Sequence, residues 1–323
     1  MFKIRSLKPR DFEILKKLFK EKENEKLLQI LHSSTAINEC LFFLQPIIPY
    51  NFRGLPSIHL IIEKNNILGY AIVRCLSKPN NAWQIDEVFV LDEIRNEGLG
   101  EELIRYILSL YGGYGIEHFL AEIDSNNHPA LTVFHQCGFR RFAKVYFYKK
   151  EIDTSEIRTC SLDTEFIIRT VMQSDFPELE KLEVSSIPPD LRQVLGKSKE
   201  YFKDKKDSIV IIDKKRNHII GWSQIQKTKE DSYFIELLAS PGWTHLYEEF
   251  LNTIISDLTS TQNNKAIIIV KAPDYITEFC DVLKNSGFLP AEVKELLVKT
   301  IWQKVKERKR KEAKVGVPSI QPT

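Results

Sequence analysis

The chain has 323 residues, 43% hydrophobic and 28% charged, which describes a globular protein too long for one compact core, so two domains are expected. Lys and Arg number 46 against 44 Asp and Glu, and a formal charge of +2 argues against a general nucleic-acid surface. There is no apolar run near the ~20 residues that span a bilayer, no apolar leader at the N-terminus, and no C-x-x-C pair among Cys40, Cys75, Cys137, Cys160 and Cys280, so a cytoplasmic, reducing setting is expected.

In chain order, residues 2–19 (FKIRSLKPRDFEILKKLF) predict a strand and then a helix with Asp11 as its N-cap. Residues 65–74 (NNILGYAIVR) predict a hairpin whose second strand begins near Gly69. Residues 83–91 (WQIDEVFVL), β-branched, aromatic and free of Gly and Pro, predict a strand. A turn with Arg95, Gly98 and Gly100 follows, and Leu99, Leu103, Ile107 and Leu110 continue at near-helical spacing. First-turn amides of a helix have no partner within it and carry partial positive charge, so a glycine turn there is an anion site in outline. Arg95 adds a fixed cation with a fork of donors. A tight connection with nothing bound fits the same few residues. Another strand is expected at 118–124 (HFLAEID), then a helix from Asn127 and final strands in RRFAKVYFYKK.

The chain repeats itself. Residues 166–183 (FIIRTVMQSDFPELEKLE) match 2–19 in the opening Phe-x-Ile-Arg pattern, the Asp-Phe pair and the later leucines, so Asp175 is expected to cap as Asp11 does. NHIIGWSQIQ (217–226) matches the first hairpin, and VLKNSGFLPA (282–291) matches VFHQCGFRRF (133–142). Three matches in one order predict two copies of one α+β module, at 1–150 and 165–304. A polar linker is expected at 151–164, and a charged, solvated tail at 305–323.

The series in the first copy resembles the GNAT superfamily of acetyl-CoA-dependent N-acetyltransferases. Arg95, Gly98 and Gly100 match the family's Arg/Gln-x-x-Gly-x-Gly/Ala pattern, and Asn127, Ala130, Phe134, Gly138 and Phe139 match its next signature. The resemblance implies two GNAT-like modules, each a mixed, mostly antiparallel twisted sheet flanked by helices. It implies acetyl-CoA as co-substrate and no metal. The pantetheine arm is then expected along the backbone of Phe89, Val90 and Leu91 like an added strand. The diphosphate is expected on the amides of Asn96, Glu97, Gly98, Leu99 and Gly100 with Arg95 alongside, and Asn127 and Phe134 are included among the cofactor contacts. The acceptor is expected against the variable segment 27–57, where Tyr50, Asn51 and Arg53 are candidate polar contacts; core packing or a plain loop explains that segment equally.

Acetyl transfer to an amine needs a base, and GNAT members often use a carboxylate on the strand before the turn. Asp86 is the first choice, Glu87 the second and Glu122 a weaker third. Strict alternation sets Gln84, Asp86 and Val88 on one face and Ile85, Glu87 and Phe89 on the other. A backbone amide near Val90 is the candidate oxyanion donor. Where many family members place a tyrosine as acid, this chain has Phe134, which has no proton to give; Tyr146, Tyr148, His135 and water are the substitutes. Cys137 reads as a buried helix thiol. In the second copy, aligning Glu248 and Glu249 with Glu101 and Glu102 puts His245 and Tyr247 where Gly98 and Gly100 stand. That copy is expected to keep the fold and to have lost the cofactor.

The resulting expectation is an N-acetyltransferase active in its first module, acting on the amine of a small metabolite or peptide, with a non-catalytic acyl-CoA-binding scaffold as the alternative. Acetyl-CoA and the amine are its expected partners, with no nucleic acid or membrane, and a homodimer is allowed.

Overall fold

The computed structural model describes residues 2–8, 10–11, 14–15, 56–64, 66–77, 82–153, 165–197, 199–203, 205, 208–229, 231–260 and 265–301. The expected first helix beyond residue 15, the acceptor segment up to residue 55, most of the linker, Cys40, Cys160 and the charged tail lie outside the described residues. Among the described residues twelve strands form one sheet, mixed and mostly antiparallel, with helices packed on it. The first half supplies β1 (Lys3–Ser6), β2 (Ser57–Glu63), β3 (Asn66–Ser77), β4 (Ala82–Val90), α1 (Leu99–Gly113), β5 (His118–Asp124), α2 (His128–Gln136) and β6 (Arg140–Asp153). The second supplies β7 (Phe166–Thr170), α3 (Phe176–Ser186), the short α4 (Arg192–Leu195) and α5 (Lys199–Lys203), β8 (Ile209–Asp213), β9 (His218–Lys229), β10 (Ser232–Ala239), α6 (Tyr247–Ser260), β11 (Lys265–Pro273), α7 (Thr277–Asn285) and β12 (Leu289–Thr300).

Across the sheet the strands run β1-β2-β3-β4-β5-β12-β6-β11-β10-β9-β8-β7. Each half therefore closes its sheet with the last strand of the other. β12 lies antiparallel between β5 and β6, from Lys294 opposite Asp124 to Thr300 opposite His118. β6 runs along β11, from Lys265 opposite Asp153 to Pro273 opposite Val145. Among the described residues only β4–β5 and β10–β11 pair in parallel. The side chains follow the exchange. Leu297 of β12 is fully buried in the core under α1 and α2, with Leu103, Ile107 and Phe119. Tyr148 and Ile152 of β6 are buried under α6 and α7 with Phe250 and Phe279. Full burial of one such side chain is worth about 1.5–3 kcal/mol.

A matching pair of latches holds each exchanged strand. Helices α2 and α7 both end at a glycine in left-handed conformation, Gly138 at φ 84° and Gly287 at φ 80°. The Phe139 and Phe288 amides bond back to Phe134 O and Leu283 O, a Schellman ending in both cases. Lys299 of β12 donates to Cys137 O, and Lys150 of β6 donates to Ser286 O at 2.7 Å. Each lysine thus sits at the negative end of a helix from the opposite half.

The repeat is equally close at the start of each half. Arg5 donates to Asp11 at 2.6 and 2.9 Å, and Arg169 donates to Asp175 at 2.6 and 2.9 Å. The second oxygen also accepts from a backbone amide, Lys8 N at 2.8 Å and Met172 N at 2.7 Å. This corrects the capping expectation for Asp175: its side chain reaches back to Met172 and makes no cap bond to the first turn of α3. The reason is the arginine six residues earlier, on β7, which forks onto both carboxylate oxygens.

Two predictions follow from this architecture. A fragment of residues 1–153 lacks β12 and leaves β5 unpaired on that edge, so it should aggregate or dimerise; a monomer by light scattering that melts cooperatively like the full chain would overturn the exchange. The Asp175 carboxyl is held below its ordinary value by the Arg169 hydrogen bonds. A lowered folded pKa contributes stability that is complete above the unfolded value near 3.8 and is lost as pH falls through the folded one. Asp175→Asn should therefore cost about 1.5–3 kcal/mol at pH 7, and chemical denaturation repeated down to pH 3 should show the gap to wild type narrowing.

Candidate active site

Strand β4 carries the candidate bases, and its geometry is set by one extra residue. Opposite β3 the register runs Gly69↔Val90 to Ile72↔Glu87 and then jumps to Val73↔Ile85. Asp86 is the bulged residue, and a bulge reverses the alternation beyond it. Ile85 and Trp83 pack under α1, whereas past the bulge it is Val88 and Val90 that do so. Phe89 lies on the opposite face, stacked on Tyr70 at 5.4 Å, and Glu87 takes the Tyr70 hydroxyl at 2.7 Å. Strict alternation is thus corrected: Glu87 shares a face with Phe89 but not with Ile85, and Val88 is on the face opposite Gln84.

The two acids differ in what they touch. Arg74 reaches Asp86 at 2.8 Å and also donates to Gln84 Oε1 at 3.2 Å. Glu87 Oε2 is buried and makes no hydrogen bond among the described residues. Beside it, burial and the Glu87 charge hold the Tyr70 hydroxyl above its ordinary pKa, so Tyr70 stays a donor to Glu87. Glu122, the third candidate, is engaged by Lys271 at 2.9 Å and lies toward the second half.

Parallel pairing of β4 with β5 covers only Ala82–Gln84 against His118–Leu120, and the strands part beyond that point. Leu91 N–H donates to Leu68 O at 2.9 Å, so by antiparallel alternation Phe89 and Leu91 direct their backbone groups at β3. Of the three residues expected to offer backbone to the cofactor, only Val90 faces the open side, and Val88 joins it. Just past β4, Asp92–Ile94 form a single 3-10 turn. Asn96 at φ 70° and Gly98 at φ 79° then bring the chain into α1. Gly98 is its N-cap and has no side chain to give, so the first-turn amides are left uncapped. A Cβ at Gly98 would meet nothing within 4 Å, so the glycine is required by its φ and leaves clear space before those amides. A Cβ at Gly100 would sit 3.9 Å from Val90 and 4.0 Å from Val133, at the rim of the same space. Arg95 is exposed and paired with Asp92 at 2.8 Å. Open splay, uncapped amides and clear space together fit an extended molecule with a diphosphate.

The other expected contacts fall elsewhere. Asn127 caps α2, its Oδ1 accepting from Ala130 N at 3.1 Å. Phe134 is buried edge-on against Phe139 in the core under α1. Cys137 is a buried thiol whose pKa burial pushes up, pointing at Glu101 O. Tyr146 and Tyr148 are ruled out as acids for the first half, because β6 carries them into the core of the second. His135 is exposed, with Nδ1 3.1 Å from Phe139 O.

The second half has the same frame with its site filled. Its β9–β10 register runs without a bulge from Ala239↔Gly221 to Tyr233↔Lys227, so the residue equivalent to Asp86 is missing and Glu236 falls at the position of Glu87. Ser240 N donates to Ile220 O at 2.8 Å as Leu91 N does to Leu68 O. Ala239 N is therefore the counterpart of the outward Val90 N–H, and it donates to the Tyr247 hydroxyl at 3.3 Å. Tyr247, at the position of Gly100, is buried and stacked on Phe279 at 4.5 Å. Among the described residues no helix is long and apolar enough to cross a membrane, and no group of three or more His, Cys, Asp or Glu is placed to hold a metal.

Comparison with known proteins agrees with this geometry. Residues 24–139 match the model of the Acetyltransferase (GNAT) family. No curated protein sequence matches the chain. Among solved structures, a GCN5-related N-acetyltransferase from Sphaerobacter thermophilus is similar over 94% of this chain and 97% of its own, with 14% identity and a TM-score of 0.61. A tandem GNAT protein from the clavulanic acid biosynthesis pathway is similar over 94% of this chain and all of its own, with 10% identity and a TM-score of 0.60. Residues 24–139 thus resemble the GNAT acetyltransferase domain, and the chain as a whole shares the fold of a tandem GNAT protein.

Proposed function

We propose that the first half transfers an acetyl group from acetyl-CoA to an amine of a small metabolite or peptide. The observation that carries the reading is the splay of β4 from β5 opening beside the uncapped start of α1. The amides of Asn96–Gly100, with Arg95 nearby, would hold the diphosphate, and Val88 and Val90 would pair with the pantetheine arm as a neighbouring strand would. Acetyl-CoA supplies the acetyl group activated as a thioester. Val90 N–H is placed to donate to oxygen as charge develops on it. Holding both reactants in one cleft accounts for much of the rate.

The base is Glu87. A base needs a lone pair free to take a proton, and Glu87 Oε2 has one, whereas Arg74 occupies Asp86. The Tyr70 bond fixes the Glu87 carboxylate from its other oxygen. Phe134 has no proton to donate, so the acid falls to the exposed His135 or to water.

Calorimetric titration with acetyl-CoA tests the cofactor assignment. Wild type should bind in the micromolar range, and Gly98→His/Gly100→Tyr, which transplants the residues of the second half, should bind at least about tenfold more weakly with an unchanged circular dichroism spectrum. No binding to wild type would overturn the reading, and binding without turnover over a broad amine panel would leave a scaffold. Glu87→Gln should lower kcat by about 10²-fold or more with the affinity for acetyl-CoA kept, and Asp86→Asn by less than about tenfold. The reverse order would return the role to Asp86.

A further inference from the structure

We infer that the second half carries a small-molecule site of its own: a cavity of about 150 Å³ beside Glu183 and Glu236 that binds a small organic ammonium ion. β10 and β11 pair only as far as Ile235↔Val270, so Glu236 is the first residue past their splay, and α3 and the segment after it roof the opening. The cavity is lined by Glu183, Lys197, Trp222, Glu236, Tyr275 and Leu296, among others. It is distinct from the cleft proposed for acetyl transfer, which lies on the first half.

Its charges do not balance. Lys197 Nζ stands between two carboxylates, 3.9 Å from Glu183 and 3.7 Å from Glu236. It also lies over the rings of Tyr201 at 4.5 Å and Trp222 at 5.5 Å, so it is well held. Glu236 gains the Tyr201 hydroxyl at 2.9 Å. Glu183 is 5% exposed and makes no hydrogen bond among the described residues, its nearest cation being the shared lysine. The other charges on the wall, Lys271 and Glu122, pair with each other at 2.9 Å, and Lys205 lies over the Tyr201 ring and does not line the cavity. Two carboxylates sharing one ammonium leave one negative charge uncompensated in a buried place, which is costly unless a cation or a proton joins it. Burial pushes the Glu183 carboxyl above its ordinary range, as the geometry requires.

The rest of the wall chooses an organic cation. Trp222, Leu237 and Leu296 give apolar surface for a short chain, and a cavity near 150 Å³ admits a molecule of about benzene size. A primary ammonium on Glu183 with about four carbons along that wall satisfies both demands.

The test is calorimetric titration of the full chain with n-butylammonium chloride and, in parallel, with n-butanol, its neutral counterpart. The amine should bind about tenfold or more tightly than the alcohol. Glu183→Gln, with its fold checked by circular dichroism, should bring the amine down to the alcohol's affinity. Equal affinity of wild type for the two compounds, no binding of the amine, or undiminished amine binding by Glu183→Gln would each overturn the site. The comparison of amine with alcohol needs no variant, so it decides the matter even if Glu183→Gln fails to fold.

Discussion

The pairing of β6 with β12 at the centre of the sheet is the interaction on which the rest of the molecule depends. Without β12 the first half leaves one edge of β5 unpaired and loses Leu297 from the core beneath α1. Without β6 the second half loses the antiparallel neighbour of β11 and the aromatic floor under α6. Two modules that could have been beads on a string are thus one folding problem, in which the longest-range contacts close both cores. The lysines on the exchanged strands add direction to this. Each ends on the carbonyl terminus of the other half's helix, where a cation is favoured and a slipped register would leave it unpaired.

Local chemistry was legible in the sequence wherever it repeats. The Phe-x-Ile-Arg and Asp-Phe pairings at 2–19 and 166–183 become the same forked ion pair twice, and the two Gly-Phe steps become the same helix ending twice. Apolar periodicity marked the helix after Gly98 and the strand before it for the same reason, since both depend on near neighbours in sequence. What escaped was choice of partner and the residue at which the bulge falls, since the family resemblance implies a bulge on this strand without saying where. Alternation identifies a strand without saying which strand lies beside it, so Tyr146 and Tyr148 looked like residents of the first module. A bulge leaves no mark in residue type, so the pattern of residues 83–91 put Glu87 on the wrong side of β4 relative to Ile85.

That bulge links fold to chemistry. By inserting one residue at Asp86 it turns Glu87 from the helix-covered face to the side where Tyr70 stands, and it sends Val88 and Val90 under α1. The same disturbance coincides with the parting of β4 from β5, which exposes backbone groups that a regular ladder would have consumed. A candidate carboxylate and a candidate backbone donor are therefore produced by one irregularity. Asp86 itself sits at the kink, where Arg74 reaches both it and Gln84.

The second half shows how two ends of one cleft can diverge separately. At the helix end, where the first half has Gly100, Tyr247 takes the Ala239 N–H on its hydroxyl and stacks its ring on Phe279. That closure stabilises the half without a bound molecule, because the outward amide finds a partner within the chain. At the other end, Glu236 keeps the place of Glu87, and the segment from α3 onward encloses it with Glu183 and Lys197 instead of covering it with apolar side chains. Simple decay toward a structural role would favour replacing buried charges by packed hydrophobic groups, which is often neutral or stabilising. In the second half one end is closed by an aromatic ring while the opposite end stays lined by charge.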